Sequence, residues 1–123
     1  HQDFASFLRW KLDPERPPQY HLDTSIELQS DYLIDLHGNL IVDFVGRYEH
    51  LEPDFDEVCS RIGIAAPRLP HRRQANDRGA DYRRYYDDAT AELVAQHFAA
   101  DIKRLGYRFG GVDEAVSARR RWR

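Results

Sequence analysis

At 123 residues the chain has room for one domain and a modest core. Net charge is −3 with 32% charged residues, a balance that by itself points to neither nucleic acid nor a membrane surface. Cys59 is the single cysteine, which excludes an intrachain disulfide or a cysteine-based zinc site, and no apolar run reaches the ~20 residues of a membrane span. Reading from the first residue, Phe4, Phe7, Leu8 and Leu12 fall at helical spacing behind Asp3 as N-cap, so residues 3–12 are a predicted amphipathic helix. Asp13-Pro14-Glu15-Arg16-Pro17-Pro18 ends it, because proline lacks an amide and restricts the residue before it. Residues 19–31 are mixed and polar and read as loop with one helical turn.

Two β-prone runs come next, Tyr32-Leu33-Ile34-Asp35 and Leu40-Ile41-Val42-Asp43-Phe44-Val45. The turn Leu36-His37-Gly38-Asn39 between them predicts a hairpin. Residues 51–62 are the clearest helix. Pro53 suits its first turn, Glu52, Asp54 and Asp56 favour its positive end, and Phe55, Val58, Cys59 and Ile62 share one face before Gly63. A long loop runs from Ile64 to about Ala80, and residues 81–86 predict a short helix. Asp87 or Asp88 then caps a longer helix to Leu105, with Val94, Phe98, Ile102 and Leu105 as its apolar stripe and Gly106 as its stop. Tyr107-Arg108-Phe109 is expected to pack back on the core, ahead of a basic tail ending Arg119-Arg120-Arg121-Trp122-Arg123. There is no methionine, and the chain opens on the threshold of a helix, so it is expected to be an excerpt of a longer protein.

Each signal with chemistry in it has a plainer counterpart. Only Lys11 and Lys103 are lysines among eighteen basic residues. The arginine fork suits phosphate, sulfate and carboxylate, and a GC-rich coding sequence gives the same count. At the junction Gly46-Arg47-Tyr48-Glu49 an aromatic at a strand's carboxyl end can stack on a purine. There Glu49 would lock the loop by accepting backbone amides; the structural reading, which physics alone puts first, has Tyr48 covering the sheet edge and Glu49 pairing with an arginine. The loop Arg68 to Gly79 gathers four arginines and His71, a setting for an anionic ligand or simply a solvated loop. His97 reads as a packed, hydrogen-bonded histidine and Cys59 as a small buried hydrophobe. No pair of histidines has metal-ligand spacing, and Gly110-Gly111 is no phosphate loop.

Taken together and in order, these pieces resemble the C-terminal part of the carbohydrate-type sulfotransferase family in its bacterial style. The resemblance rests on Phe4-x-x-Phe7, Leu28-Gln29-Ser30-Asp31-Tyr32-Leu33, Asp43-Phe44-Val45-Gly46-Arg47-Tyr48-Glu49-His50-Leu51 and Cys59-Ser60-Arg61-Ile62-Gly63. It continues through Leu69-Pro70-His71, Tyr82-Arg83-x-Tyr85-Tyr86-Asp87 and Asp101-Ile102-x-x-x-Gly106-Tyr107-x-Phe109. It implies an α/β fold, the C-terminal portion of a P-loop-kinase-like sulfotransferase, mostly helical here with a short two-strand element. Residues 41–49 would be a late strand of its parallel sheet. Residues 1–109 would be the sulfotransferase part and 110–123 the basic tail.

The implied reaction moves a sulfuryl group from 3′-phosphoadenosine 5′-phosphosulfate (PAPS) to a hydroxyl or amine acceptor, a carbohydrate first of all, without a metal. Tyr48 would touch the adenine, and the loop with His71, Arg72, Arg73 and Gln74 would lie where relatives close over the 3′-phosphate, although the family's Arg-Lys-Gly wording is missing. The 5′-phosphosulfate loop, the Arg-Asp-Pro segment and the acceptor base would precede this chain. Asp13-Pro14-Glu15-Arg16 is a lookalike without the preceding arginine, so no catalytic residue is assigned and the isolated chain is expected to be inactive. The implied setting is bacterial cytoplasm, or a membrane-anchored parent, with self-association through an exposed sheet edge and no nucleic-acid partner. The competing reading is a small helical interaction module that binds nucleic acid or an acidic partner through the arginine loop and tail. A hydrolase built on His71 or His97 ranks third.

Overall fold

The computed structural model describes residues 3–17, 19, 23–70 and 81–112. They are mostly helical. Helix α1 (Phe4–Lys11) starts where Asp3 accepts a hydrogen bond from the Ser6 amide at 2.7 Å, and Arg9 and Lys11 favour its negative end. The proline corner then turns the chain, and the Asp23 carboxylate gathers it by accepting from Lys11, from Arg16 Nη1 at 3.1 Å and from the Ser25 amide at 3.1 Å. Arg16 is buried and its guanidinium lies 5.2 Å from the Trp10 ring centre, so the lookalike segment is engaged as a structural corner. Two single turns of 3₁₀ helix follow, Thr24–Ile26 and Gln29–Tyr32.

Helix α2 (Leu51–Ile62) is entered through another 3₁₀ turn, Tyr48–His50, and ends on Gly63 at φ 79°, the left-handed conformation that glycine adopts without a Cβ clash. After a 3₁₀ turn at Tyr82–Tyr85 come α3 (Asp88–His97) and α4 (Ala99–Leu105). Asp87 caps α3 in a reciprocal box with Thr90: the Thr90 amide donates to Asp87 Oδ1 at 2.7 Å, and the Asp87 amide to Thr90 Oγ1 at 2.9 Å. Strands β1 (Tyr107–Arg108) and β2 (Gly111–Val112) pair antiparallel around Gly110 at φ 93°, which carries the fold to Val112.

Two layers of contact hold these parts together. Helix α1 packs on α3, while α4 packs on the 29–32 turn and on β1. Between them lies an aromatic cluster. Phe4 meets Tyr86 edge-on at 4.9 Å, and Phe109 meets Tyr86 at 5.5 Å and Tyr82 at 5.9 Å. Such pairs add about 0.5–1.5 kcal/mol each beyond the area they bury. Among the described residues, Leu8, Cys59 and Leu105 are the fully buried hydrophobics.

Four expectations need correction. The hairpin of residues 32–45 shrinks to a single bridge between Ile34 and Leu40, held by Asp35 N to Asn39 O at 2.9 Å and Ile41 N to Leu33 O at 2.9 Å. The run 41–47 forms no continuous strand and keeps a single bridge position at Phe44, because a strand extends only where a neighbouring backbone continues its ladder. The helix expected from 87 to 105 is interrupted at Phe98 (φ −98°, ψ 22°), where α3 ends and α4 begins. Ile62, expected on the buried face of α2, is 65% exposed.

Candidate functional site

The junction from Val45 to Pro53 is positioned by one buried carboxylate. Asp54, on the first turn of α2, is 5% exposed and accepts the Arg47 amide at 2.7 Å. The His50 amide then donates to the Arg47 carbonyl at 3.1 Å, which closes the 3₁₀ turn carrying Tyr48. Gly46 lies over Asp54, where an added Cβ would meet Asp54 Cβ at 3.5 Å, an ordinary contact. The result is an ordered platform with the Tyr48 side chain standing out of it, 84% exposed.

Two clefts meet at Tyr48. One, about 530 Å³, is lined by Tyr48, Glu49, Glu52, Pro53, Leu69 and Pro70. The other, about 350 Å³, lies between the 29–32 turn and the end of α4 and includes Gln29, Tyr32, Arg47, Leu105 and Tyr107. Glu49 neither locks backbone amides nor forms an ion pair among the described residues. It accepts from the Tyr107 hydroxyl at 3.1 Å. Burial pushes the Tyr107 phenol upward, and the Glu49 carboxylate adds to the rise. The Arg47 guanidinium, with Cζ 5.9 Å from the Tyr107 ring centre, opposes that rise chiefly through its charge.

Of the residues singled out in the sequence, Tyr48 is placed on this platform, and Pro70 lines the same cleft. His71, Arg72, Arg73 and Gln74 lie outside the described residues, as does the basic tail. His97 Nε2 sits 2.8 Å from the Ile26 carbonyl, and Cys59 is 2% exposed, in keeping with the packed roles expected of them. No cluster of metal-ligating side chains occurs among the described residues, nor is any described helix long and apolar enough to cross a membrane.

Three residues that organise the site escaped the sequence reading: Arg47, Asp54 and Asp101. Asp101 is 7% exposed and accepts the Gln29 amide at 2.9 Å and the Ser30 amide at 2.7 Å, pinning the 29–32 turn to α4. Its signal was available. Position 101 falls on the stripe of Phe98 and Leu105, and Asp54 precedes Val58 by one turn, so each carboxylate sits on an apolar face.

The chain was compared with protein-family models, with curated proteins and with solved structures, and none of them matches.

Proposed function

We propose that this chain is the C-terminal part of a PAPS-dependent sulfotransferase of the carbohydrate type, with a P-loop-kinase-like fold in the intact protein. Tyr48 is its contact with the adenine of the donor. The observation that carries this reading is Tyr48, 84% exposed on a turn locked by a buried Asp54 and bordered by two clefts. A rigidly mounted, solvent-facing aromatic ring at the entrance to a helix is what a stacking contact with a purine requires. The ordered motifs from Phe4 to Phe109 support the same family. In the intact fold, the run 41–47 would gain its ladder from strands outside this chain.

In-line sulfuryl transfer breaks the bond from sulfur to the donor's bridging phosphate oxygen and forms one to the acceptor oxygen or nitrogen. The acceptor's proton passes to a base, and the leaving phosphate needs a cationic cradle. The residues around Tyr48 supply a wall for the nucleotide and neither of those groups. Tyr48 therefore holds and orients; it does not take part in the chemical step.

Titration of the 123-residue chain with 3′-phosphoadenosine 5′-phosphate, followed by calorimetry and by the tyrosine ring resonances, tests the reading. Weak binding is expected, with shifts centred on Tyr48 that disappear in Tyr48→Ala. No perturbation of Tyr48 at millimolar nucleotide overturns the adenine contact. Micromolar or tighter binding overturns the placement of most of the donor site outside this chain.

A further inference from the structure

Arg47 is 3% exposed, and its Nε, Nη1 and Nη2 atoms are all buried without a hydrogen-bond partner among the described residues. A guanidinium never sheds its charge at neutral pH, and an unpaired buried ion costs several kcal/mol. The proline corner offers a contrast within the same molecule, since the buried Arg16 is paired with Asp23. Arg47 also lines the cleft of about 350 Å³ between the 29–32 turn and α4, and its guanidinium reaches the end where Tyr107 stands. Three tyrosines, Tyr32, Tyr48 and Tyr107, border that cleft. The amides of Gln29 and Ser30 are already taken by Asp101, so among the described residues lining the cleft Arg47 is the positive group, with its N–H donors unmatched by an acceptor.

We propose that this cleft is a binding site for an oxyanion group of a small molecule, anchored by Arg47. Two oxygens of a sulfate, phosphate or carboxylate accept the parallel N–H groups of one guanidinium edge. The tyrosine rings receive the body that carries the group, by stacking or by hydroxyl hydrogen bonds. Glu49, held on the Tyr107 hydroxyl, and the Asp54 and Asp101 carboxylates, held on the Arg47 and Gln29 amides, set a limit on how much negative charge the cleft accepts. The site stands on the Arg47 geometry alone and holds whether or not the intact protein uses PAPS.

The test titrates ¹⁵N-labelled protein with sulfate, phosphate and acetate in separate arms, each against chloride at matched ionic strength, reading the Arg47 Nε–H resonance. A saturable downfield shift in at least one arm is expected, and the arm that gives it separates a tetrahedral anion from a carboxylate. Absence of saturation in all three arms, or the same change with chloride, overturns the site. Arg47→Met gives a second readout of opposite sign. In anion-free buffer its Tm should exceed that of the parent, because the unpaired charge is gone, and it should lose the anion-dependent rise in Tm that the parent shows. A retained anion-dependent rise in Arg47→Met also overturns the proposal. Should Arg47→Met fail to fold, the resonance titration of the parent decides alone.

Discussion

Asp54 accepts the Arg47 amide and Asp101 those of Gln29 and Ser30, so their removal takes the acceptor from these donors. Asp54→Ala exposes the Arg47 amide to that fate and should cost about 2 kcal/mol in urea unfolding. Asp101→Ala strands two amides and should cost about 3 kcal/mol, with Asp101→Asn recovering part by accepting one of them. If Asp54→Ala is neutral, then Asp54 does not hold the Tyr48 turn. Neither role was legible from residue type, because an aspartate near a helix start ordinarily reads as a solvated dipole partner. Tyr48, by contrast, was singled out in the sequence from its place at the end of an apolar run, and the structure does leave it exposed. The carboxylates needed a second criterion, position on an apolar face, to be recognised as buried acceptors.

Helices were legible because their punctuation is local. Asp3, Asp87, Gly63 and Gly106 sit within a residue of where a cap or stop must be, and each boundary follows from atoms a few bonds away. The strand at 40–45 was not, since its partner must come from elsewhere and β propensity says nothing about whether one exists. Beside the break at Phe98, His97 reaches the Ile26 carbonyl across the molecule, a contact that helical spacing does not encode. Two substitutions probe this level. Thr90→Ala dismantles the capping box of α3 and should lower stability by about 1 kcal/mol, whereas Thr90→Ser should keep most of it. Gly63→Ala meets no atom within 4 Å but must hold φ 79°, and should cost about 1 kcal/mol through backbone strain alone. Thermal denaturation by circular dichroism measures both.

The whole molecule is bounded in pH on both sides. Asp3, Asp23, Asp35, Asp81 and Asp87 are all held below the usual carboxylate range. The causes are hydrogen bonds: chiefly from the Ser6 amide to Asp3, and from the Lys11, Asn39, Arg83 and Thr90 side chains to the other four in turn. A lowered folded value means that the unfolded chain binds protons first. Their contribution is therefore full above pH ~4, the unfolded carboxylate value, and is lost as pH falls below it. Tyr32, Tyr86 and Tyr107 are raised, by the Glu27 hydrogen bond for the first and by burial for the other two. The folded state then keeps its phenolic protons longer, so stability falls as pH climbs past ~10. A plateau between these limits is expected in a pH series of urea midpoints, and a midpoint that keeps rising above pH 10 contradicts the tyrosine assignments. The exposed apolar residues of α2 and its exit, Leu51, Ile62 and Ile64, add a further expectation at this scale. Sedimentation should show concentration-dependent association, and Ile62→Lys should weaken it.

Cys59 gives this molecule a clock of its own. It is the single thiol, 2% exposed, and lies on the face of α2 turned toward the rest of the fold. A disulfide reagent can reach it only when that helix lifts away, so the rate of labelling counts the lifting events. Because α2 also carries Asp54, the same rate reports how often the Tyr48 platform comes apart. An anion that seats beside Arg47 should slow the clock.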